Sequence, residues 1–437
     1  MTLRIAVVAG AAVGVISALY FLSLVVGAGP WVPLVISVAI CAALAWWFRL
    51  PAQGPADRPA TGWLASVFLG VLAVSIAVFI LLSIKQPHGD WDAWAIWNLH
   101  ARFLERGGAQ WAALFSKQLN WSHPDYPLMI PAFIAQIWSV VRSESTVVPT
   151  ALSFLFTFGT VAVVVGGLQR LRGWDQALVA GTFLLGSADL IGQGAMQYAD
   201  IPLAFYIVSA LALLSIDDMK CTVMAGAIAG FAAWTKNEGI VFVLALVAAR
   251  CLARWRFGTM AGMRRELTLL GIGAAPVLAV VALFKLRYAP PDELVFNHRF
   301  GELMGRALDF GRYVGVLEGF VKAAFQLGMF IVPGVLVLAA YAWLAGFKVE
   351  PERRATVATM AAALLLMLIG DFFVYVLLPN DLSWQIGTSL DRVLMQIFPA
   401  TVLLVFAATS TVELKTTPPE HKGTKKEVRK ASATRHR

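Results

Sequence analysis

Twelve apolar runs divide the chain, and their lengths constrain its fold more than any other feature. Hydrophobic residues make up 59% of the sequence, and the mean hydropathy is +0.73. A helix that rises about 1.5 Å per residue crosses a hydrocarbon core of about 30 Å with about 20 residues. The runs cover residues 5–27, 31–48, 63–84, 147–168, 174–191, 200–216, 222–236, 239–254, 267–286, 320–345, 356–378 and 391–411. The sequence therefore predicts an all-α, polytopic membrane protein with about 12 transmembrane helices, in which residues 1–411 form one domain.

Basic residues collect in alternate loops between these runs. Arg49 follows the second run, Arg170 and Arg172 follow the fourth, and Arg264 and Arg265 precede the ninth. The positive-inside rule assigns such loops to the cytoplasm, which predicts a multi-pass protein of a bacterial inner membrane with both termini cytoplasmic. The tail 412–437 carries eight Lys and Arg against three Glu and is predicted to be disordered. Because topology accounts for the net charge of +9, we expect membrane lipids as partners and no nucleic acid.

Two large loops are then predicted outside the cytoplasm, at residues 85–146 and 287–319. Residues 85–126 of the first loop contain five of the fifteen tryptophans, Trp91, Trp94, Trp97, Trp111 and Trp121, as is typical of a segment at a membrane surface. Residues 93–106 place Trp94, Trp97, Ala101 and Leu104 at helical spacing, which predicts an interfacial amphipathic helix. The run 128–141 is too short to span, and it is interpreted as a re-entrant or interfacial helix.

Two carboxylates at the start of this loop are the candidate catalytic residues. Asp90 and Asp92 directly follow the third apolar run. A carboxylate at the mouth of a membrane cavity suits a general base, and ionisable groups at such depth are usually functional. The alternative for Asp92 is an N-cap of the helix that follows it. Capping and catalysis are compatible, so both interpretations stay open.

A divalent metal is a further option for the same loop, which offers nitrogen and oxygen ligands. The candidate ligands are His88, Asp90, Asp92, His123 and Asp125. The alternative is a hydrogen-bonded surface cluster without a metal. The three cysteines, Cys41, Cys221 and Cys251, lie inside or beside apolar runs and indicate no disulfide framework. No other cofactor is predicted.

Further charged residues interrupt or border the apolar runs. Asp200 begins the sixth run, and Lys236 and Glu238 separate the seventh from the eighth. Charges at such depth usually line a cavity, but an ion pair of Lys236 with Asp200 or Glu238 is the structural alternative. Arg299 in the second outer loop and Arg392 at the last run are candidate phosphate ligands, because guanidinium groups match phosphate geometry. For Arg392, a solvated pair with Asp391 is the alternative.

The order of these segments resembles the C-type membrane glycosyltransferases, specifically glycosyltransferase family 39, which includes protein mannosyltransferases and aminoarabinose transferases. The likeness covers roughly residues 89–253 and the segment 391–399. The segments concerned are Asp92 or Asp90, residues 123–127 (HPDYP), 200–202 (DIP) and 235–239 (TKNEG). The family usually has one span before its acidic loop, whereas three are predicted here. Relatives often carry Lys-Pro where this chain has His-Pro-Asp.

The resemblance implies a GT-C-like fold and an inverting transfer of a sugar from a polyprenyl-phosphate donor to an envelope lipid, glycan or protein. It implies Asp92 or Asp90 as the base. Phosphate and substrate contacts would then come from His123, Asp125, Asp200, Lys236, Arg299 and Arg392. A secondary transporter or lipid flippase with intramembrane carboxylates is the alternative. The absence of a visible internal repeat and the gathering of these residues at one face favour the enzyme.

Overall fold

A computed structural model describes residues 1–52, 60–291, 300–379 and 381–410. Arg299 and the tail 412–437 therefore lie outside the described residues. The first nine α-helices are α1 Thr2–Val26, α2 Trp31–Trp47, α3 Gly62–Lys85, α4 Asn98–Arg106, α5 Met129–Val141, α6 Val147–Arg172, α7 Trp174–Leu185, α8 Ala188–Ala195 and α9 Asp200–Leu214. A π-helical turn, Ala93–Trp97, precedes α4, and two 3₁₀ helices, Gly108–Phe115 and Lys117–Ser122, follow it.

The remaining α-helices of the described ranges are α10 Met219–Thr235, α11 Asn237–Phe257, α12 Met260–Arg287, α13 Phe300–Ala307, α14 Phe310–Gln326, α15 Gly334–Ala345, α16 Arg354–Leu377 and α17 Leu382–Ala408. In the described ranges, the β-structure is one isolated antiparallel bridge between Phe347 and Thr409. The predicted all-α fold is confirmed. The helix of run 128–141 is also confirmed, as α5.

Among the described residues, six helical segments are long and apolar enough to cross a membrane: α1, α3, α6, α12, α17 and the segment Pro351–Leu377 that contains α16. A seventh crossing results if α7 and α8, which meet at a bend of 61°, form one span. Shorter apolar helices are α2, α5, α9 and α15. The described chain is thus a multi-pass, all-helical membrane protein.

The predicted single span at 320–345 is wrong, because two helices occupy it. α14 ends at Gln326, α15 begins at Gly334, and Gly328 and Met329 between them both have positive φ. Left-handed backbone cannot continue an α-helix. The Gly328 N–H, freed from helical hydrogen bonding, donates to Asp189 at 2.8 Å. The break therefore packs against the bend between α7 and α8.

Small residues allow α10 and α12 to approach closely. A side chain at Gly226 would collide with the backbone carbonyl of Leu270, and one at Gly273 would collide with that of Val223. Glycine at a helix contact lets two backbones approach, and van der Waals packing then drives helix association in a membrane. Trp234 at the end of α10 packs beside Phe21 of α1, with ring centroids 5.3 Å apart. These contacts fix the end of α10, where Lys236 follows.

The first large loop is packed onto the bundle through α1. Ser17 donates to the Leu128 carbonyl at 3.3 Å, and Tyr20 donates to the Leu104 carbonyl at 3.2 Å. Trp97 and Trp111 are buried in the core, whereas Trp91, Trp94 and Trp121 are exposed. The predicted helical spacing does not place Trp94 and Trp97 on one face, because the π-helical turn that contains them has a different period from an α-helix.

At the opposite end of the bundle, basic side chains contact backbone carbonyls of neighbouring helix ends. This end is called the basic end. Arg4 of α1 donates to carbonyls at the end of α2, and Arg172 at the end of α6 donates to the Ala407 carbonyl at the end of α17. Lys220 at the start of α10 donates to the Trp47 carbonyl at 3.2 Å. Arg353 contacts the carbonyl of Leu171. Helix ends with basic residues thus meet on one face, and the first large loop covers the other.

Candidate functional site

A tight turn places Asp90 and Asp92 against the corner between α8 and α9. Gly89 has φ +72°, and any side chain there would collide with the Met196 carbonyl. The next residue, Asp90, donates its backbone N–H to that same carbonyl at 3.1 Å. Glycine is required here both for the left-handed conformation and for the close approach. The turn therefore fixes the direction in which the following carboxylates extend.

Asp92 forms an ion pair with Arg392 of α17. Their side chains, 300 positions apart in the sequence, approach to 2.6 Å, and both are about four-fifths buried. Asp92 occupies the N-cap position of the π-helical turn, but its side chain makes no capping hydrogen bond. The capping interpretation is therefore wrong for the side chain. For Arg392, the solvated pair is also wrong, because Asp391 is exposed while Arg392 extends inward.

Asp90 joins the same arrangement through a tyrosine. The Tyr198 hydroxyl donates to one Asp90 oxygen at 3.0 Å, and the backbone N–H of Trp91 donates to the other at 2.7 Å. The Arg392 guanidinium lies 4.8 Å from the centre of the Tyr198 ring, within cation–π range. Burial raises the pKa of Tyr198, and the neighbouring Asp90 carboxylate raises it further. The phenol therefore remains a neutral donor at physiological pH.

Lys236 is the centre of a second, deeper cluster. Its ammonium lies 2.9 Å from Asp200 and 3.0 Å from Glu238. Gln396 of α17 donates to Asp200 at 2.7 Å and to Glu238 at 3.4 Å. The structural alternative for Lys236 is thus observed, with both carboxylates at once. Because Asp200 and Glu238 lie in the first turns of α9 and α11, the helix dipoles also stabilise their negative charge.

The segment 235–239 (TKNEG) forms this cluster because it interrupts the helix at a single residue. Lys236 has extended backbone angles, φ −149° and ψ 164°, between the last turn of α10 and the first turn of α11. A side chain at Gly239 would collide with the Ala232 carbonyl in that last turn. Glycine thus allows the two helix ends to overlap. The overlap projects Lys236 away from α10 while keeping Glu238 beside it.

The ionic residues lie at one depth in the bundle. At about 1.5 Å per residue, Lys236 lies about 25 Å along α10 from its basic end, and Arg392 lies about 24 Å from the end of α17. Asp371 lies about 26 Å along α16. In a hydrocarbon core of about 30 Å, this layer would lie just inside the boundary opposite the basic end.

His123 and Asp125 support this layer from the loop. The Tyr126 ring stacks between His123 at 5.1 Å and Trp97 at 5.7 Å, and Lys236 lies 5.8 Å from the Tyr126 ring centre. Burial raises the pKa of the Tyr126 phenol, and nearby Glu238 raises it further. His123 therefore contacts the cluster through a ring rather than through a direct ion pair.

Asp125 forms a hydrogen-bonded clip with two helices. Asn237 donates to the Asp125 carboxylate at 2.8 Å, and Lys285 of α12 donates to the Asp125 backbone carbonyl at 2.7 Å. Lys285 also donates to the Asn237 side-chain oxygen at 2.7 Å. The clip ties the HPDYP segment to α11 and α12, so it positions Tyr126 above Lys236.

The candidate metal ligands do not converge. His88 is exposed, Asp90 and Asp92 have separate partners, and Asp125 belongs to the clip. Among the described residues, no three His, Cys, Asp or Glu side chains form a group suited to a metal ion. Asp90, Asp92 and Asp125 instead form three separate contacts, with Tyr198, Arg392 and Asn237.

Four further residues of this layer, Glu238, Tyr198, Gln396 and Asp371, were not among the candidate site residues recognised in the sequence, although Glu238 was recognised as a possible ion-pair partner of Lys236. Asp371 is buried in α16, and one of its carboxylate oxygens has no hydrogen-bond partner among the described residues. It could have been found, because it is an isolated acid within an otherwise apolar run, 356–378. One side-chain oxygen each of Glu238 and Gln396 is also buried without a partner in the described chain. Unpaired buried polar atoms indicate space for water or a ligand.

The charge balance of the layer limits what it can bind. Lys236 and Arg392 are its cations, and both are paired with carboxylates. An anionic group can bind here only by displacing a carboxylate from a cation or by sharing that cation. The Asp92–Arg392 pair is the more accessible place for such an exchange, because Lys236 is only 7% exposed whereas Arg392 is 19% exposed.

No protein-family model, curated protein or solved structure matches this chain.

Proposed function

We propose that this protein is a glycosyltransferase that moves a sugar from a polyprenyl-phosphate donor to an envelope lipid, glycan or protein. The reaction would take place at the periplasmic face of a bacterial inner membrane. The observation that carries the proposal is the contact of Asp92 with Arg392 at 2.6 Å, which joins a base and a cation near one surface of an apolar bundle. The order of motifs that resembles glycosyltransferase family 39, with its GT-C-like fold, supports the same assignment.

Asp92 would act as the general base in this reaction. It would accept the proton of the acceptor hydroxyl while the hydroxyl oxygen forms a bond to the anomeric carbon. The bond from that carbon to the donor phosphate breaks, and its electron pair stays on the phosphate oxygen. Attack opposite the leaving group inverts the anomeric configuration. Tyr198 would keep Asp90 paired, so that Asp92 is the carboxylate available for proton transfer.

Arg392 would stabilise the leaving phosphate. Before the donor binds, its ion pair with Asp92 keeps both charges neutralised in low-dielectric surroundings. A donor phosphate that takes over Arg392 would release Asp92 at the moment when a base is needed. Lys236, 7% exposed and held by Asp200 and Glu238, would stabilise the phosphate only by giving up or sharing one of these carboxylates. Arg299 remains a candidate phosphate ligand from the second outer loop.

The same proposal includes the topology. The number of transmembrane spans would rise toward twelve if the bent pair of α7 and α8 crosses the membrane as one span, and if the shorter helices α2, α9, α10, α11 and α15 also cross. Both termini would then lie in the cytoplasm. A phosphatase reporter that is active only outside the cytoplasm should be silent when fused after Arg437. Inserted at Gly108, it should be active. The reverse pattern would overturn the orientation and the periplasmic assignment of the site.

The function itself is tested by a transfer assay on Asp92→Asn. Asparagine keeps the shape of the side chain but cannot accept a proton at neutral pH, so transfer should fall by about 100-fold or more. Asp90→Asn is the matched control two positions away, and it should retain most activity. Mass spectrometry of lipid-linked donors and envelope glycans from cells with and without the gene would identify the sugar. If both variants remain fully active, this loop does not hold the base.

A secondary transporter or lipid flippase is a second candidate, favoured by one observation. Asp371 is a buried carboxyl group in a membrane-crossing helix, and the proposed transfer reaction does not use it. Such groups often couple transport to protons. If the protein transports, Asp371→Asn should abolish translocation in liposomes while sugar transfer remains undetectable for every variant. If it is a transferase, purified protein in detergent should transfer sugar without a sealed membrane.

A further inference from the structure

The basic end contains a cavity lined by three arginines from three segments. The cavity has a volume of about 390 Å³, and its walls include Arg4 of α1, Arg49 after α2 and Arg170 of α6. Leu50 and Pro51 also line it. A water molecule occupies about 30 Å³ of liquid, so the cavity could hold a group several times larger than water.

Backbone carbonyls hold the arginines in place and leave much of their hydrogen-bonding capacity unused. Arg4 donates to the Phe48 carbonyl at 2.7 Å and contacts that of Ala45, while Arg49 donates to the Trp46 carbonyl at 3.3 Å. Arg170 donates to the Pro51 carbonyl at 2.8 Å. Each guanidinium group carries five N–H donors, so most of these donors have no protein partner among the residues that the structure describes.

Within the described residues, none of these three arginines forms an ion pair with a carboxylate. Three guanidinium groups around one cavity repel each other, and a bound anion would relieve that repulsion. Arginine donors are also arranged to match the oxygens of phosphate, with two parallel hydrogen bonds to one group. Three arginines without a carboxylate partner in the described chain, around one open space, are the features expected of an anion site.

We infer that this cavity binds a phosphate-bearing anion, and that a phospholipid headgroup is a source that fits its position. The adjacent helix α2 buries only Pro33 and Ser37, and it exposes Trp46, near the cavity, to 73%. An outward apolar helix surface beside a basic cavity would contact acyl chains while the phosphate occupies the cavity. A soluble phosphate compound shares the headgroup chemistry but would make no use of α2.

Native mass spectrometry of the purified full chain, titrated with phosphatidylglycerol, tests this inference. The triple variant R4Q/R49Q/R170Q should bind this lipid at least about tenfold more weakly, because charge-assisted hydrogen bonds are lost. The matched control is R256Q/R264Q/R265Q, which removes three exposed charges outside the cavity. It should change binding by less than about twofold. Equal weakening in both triple variants would overturn the site, since total charge would then explain the binding.

Inorganic phosphate distinguishes the two sources. If it competes weakly while phosphatidylglycerol binds tightly, the lipid headgroup is the ligand. If it binds the wild type as tightly as the lipid does, a soluble phosphate compound is the ligand, and the anion site still stands. Should the triple variant fail to fold, Arg170→Gln and Arg265→Gln provide the same comparison, because Arg170 holds only the Pro51 carbonyl. Equal lipid binding by these single variants would overturn the proposal.

Discussion

The two ends of this protein neutralise their cations in different ways. In the layer opposite the basic end, Lys236 and Arg392 are paired with Asp200, Glu238 and Asp92. At the basic end, the arginines of the cavity are held by backbone carbonyls at helix ends. A deeply buried cation needs a countercharge because desolvation is costly, whereas a cation near the surface is stabilised by carbonyl dipoles, water and lipid. For the cations of the layer and of the cavity, burial thus goes with a carboxylate partner and exposure with backbone carbonyls.

Arg172 shows that burial, rather than the end of the molecule, is the deciding factor. It belongs to the basic end, but it is buried and lies 2.8 Å from Glu350. Burial alone would raise the pKa of Glu350, but the hydrogen bonds and the charges of Arg172 and Arg353 together lower it. A buried arginine at the basic end thus takes a carboxylate partner, as Arg392 does at the opposite end.

The largest expected effect is that of removing the buried cation. Lys236→Met should reduce the free energy of unfolding by about 3–5 kcal/mol, because Asp200 and Glu238 would remain buried without their partner. Denaturant unfolding in detergent measures this loss. The double variant Lys236→Met/Asp200→Leu should recover part of it, since it removes one of the orphaned charges. A loss below about 1 kcal/mol in the single variant would contradict the idea that buried cations depend on their carboxylate partners more than the arginines of the basic end do.

Arg392→Gln should act on transfer more than on folding. It removes a charge-assisted hydrogen bond to Asp92 and the proposed contact to phosphate, so transfer should weaken by about 1–3 kcal/mol. The matched control is Arg306→Gln, which loses one hydrogen bond to the Leu377 carbonyl. Initial rates at limiting donor concentration would separate the two. If both variants transfer equally well, Arg392 has only a structural role.

Acidification should destabilise the loop through His100. Burial lowers the pKa of His100 to about 3, and a hydrogen bond with Ser122 only partly offsets this effect. In the unfolded chain, this imidazole has its ordinary pKa of about 6.5. Below about pH 6.5 the unfolded chain therefore binds a proton that the folded protein does not, and the free energy of unfolding decreases as the pH falls toward 3. Between about pH 7.5 and about pH 5, the loss should be about 2 kcal/mol.

Unfolding of wild type and His100→Gln at both pH values checks this prediction. Glutamine can still bond to Ser122 but does not titrate, so the pH-dependent part of the stability should decrease by about 2 kcal/mol in the variant. An unchanged pH dependence would mean that His100 is not the group responsible.

The smallest effect is expected for Arg49→Gln at the basic end. Arg49 is exposed and makes one long hydrogen bond, so the free energy of unfolding should change by no more than about 0.5 kcal/mol. The same unfolding assay as for Lys236→Met gives a direct comparison. A loss as large as that of Lys236→Met would show that cations at the two ends are equally dependent on their partners.

The sequence by itself determined the helical membrane architecture and most helix positions. Apolar runs of about 20 residues can satisfy their backbone groups in lipid only as helices, so α1, α3 and α6 lie close to their predicted ranges. Asp200, Lys236 and Arg392 were recognisable because a charge in an apolar run is costly and is usually found at a functional site. Breaks were harder to predict. The run 320–345 is apolar throughout, and its interruption depends on how Gly328 meets Asp189.

Only the tertiary structure decided which charges meet. Hydropathy contains no information on the partner of Asp92, which is 300 positions away in α17. The roles of Gln396, Tyr198 and Asp371 also arise from the packing of α9, α11, α16 and α17 into one layer. The reason is physical: a helix period assigns a residue to a face, but the rotation and depth of each helix follow from side-chain packing between neighbours.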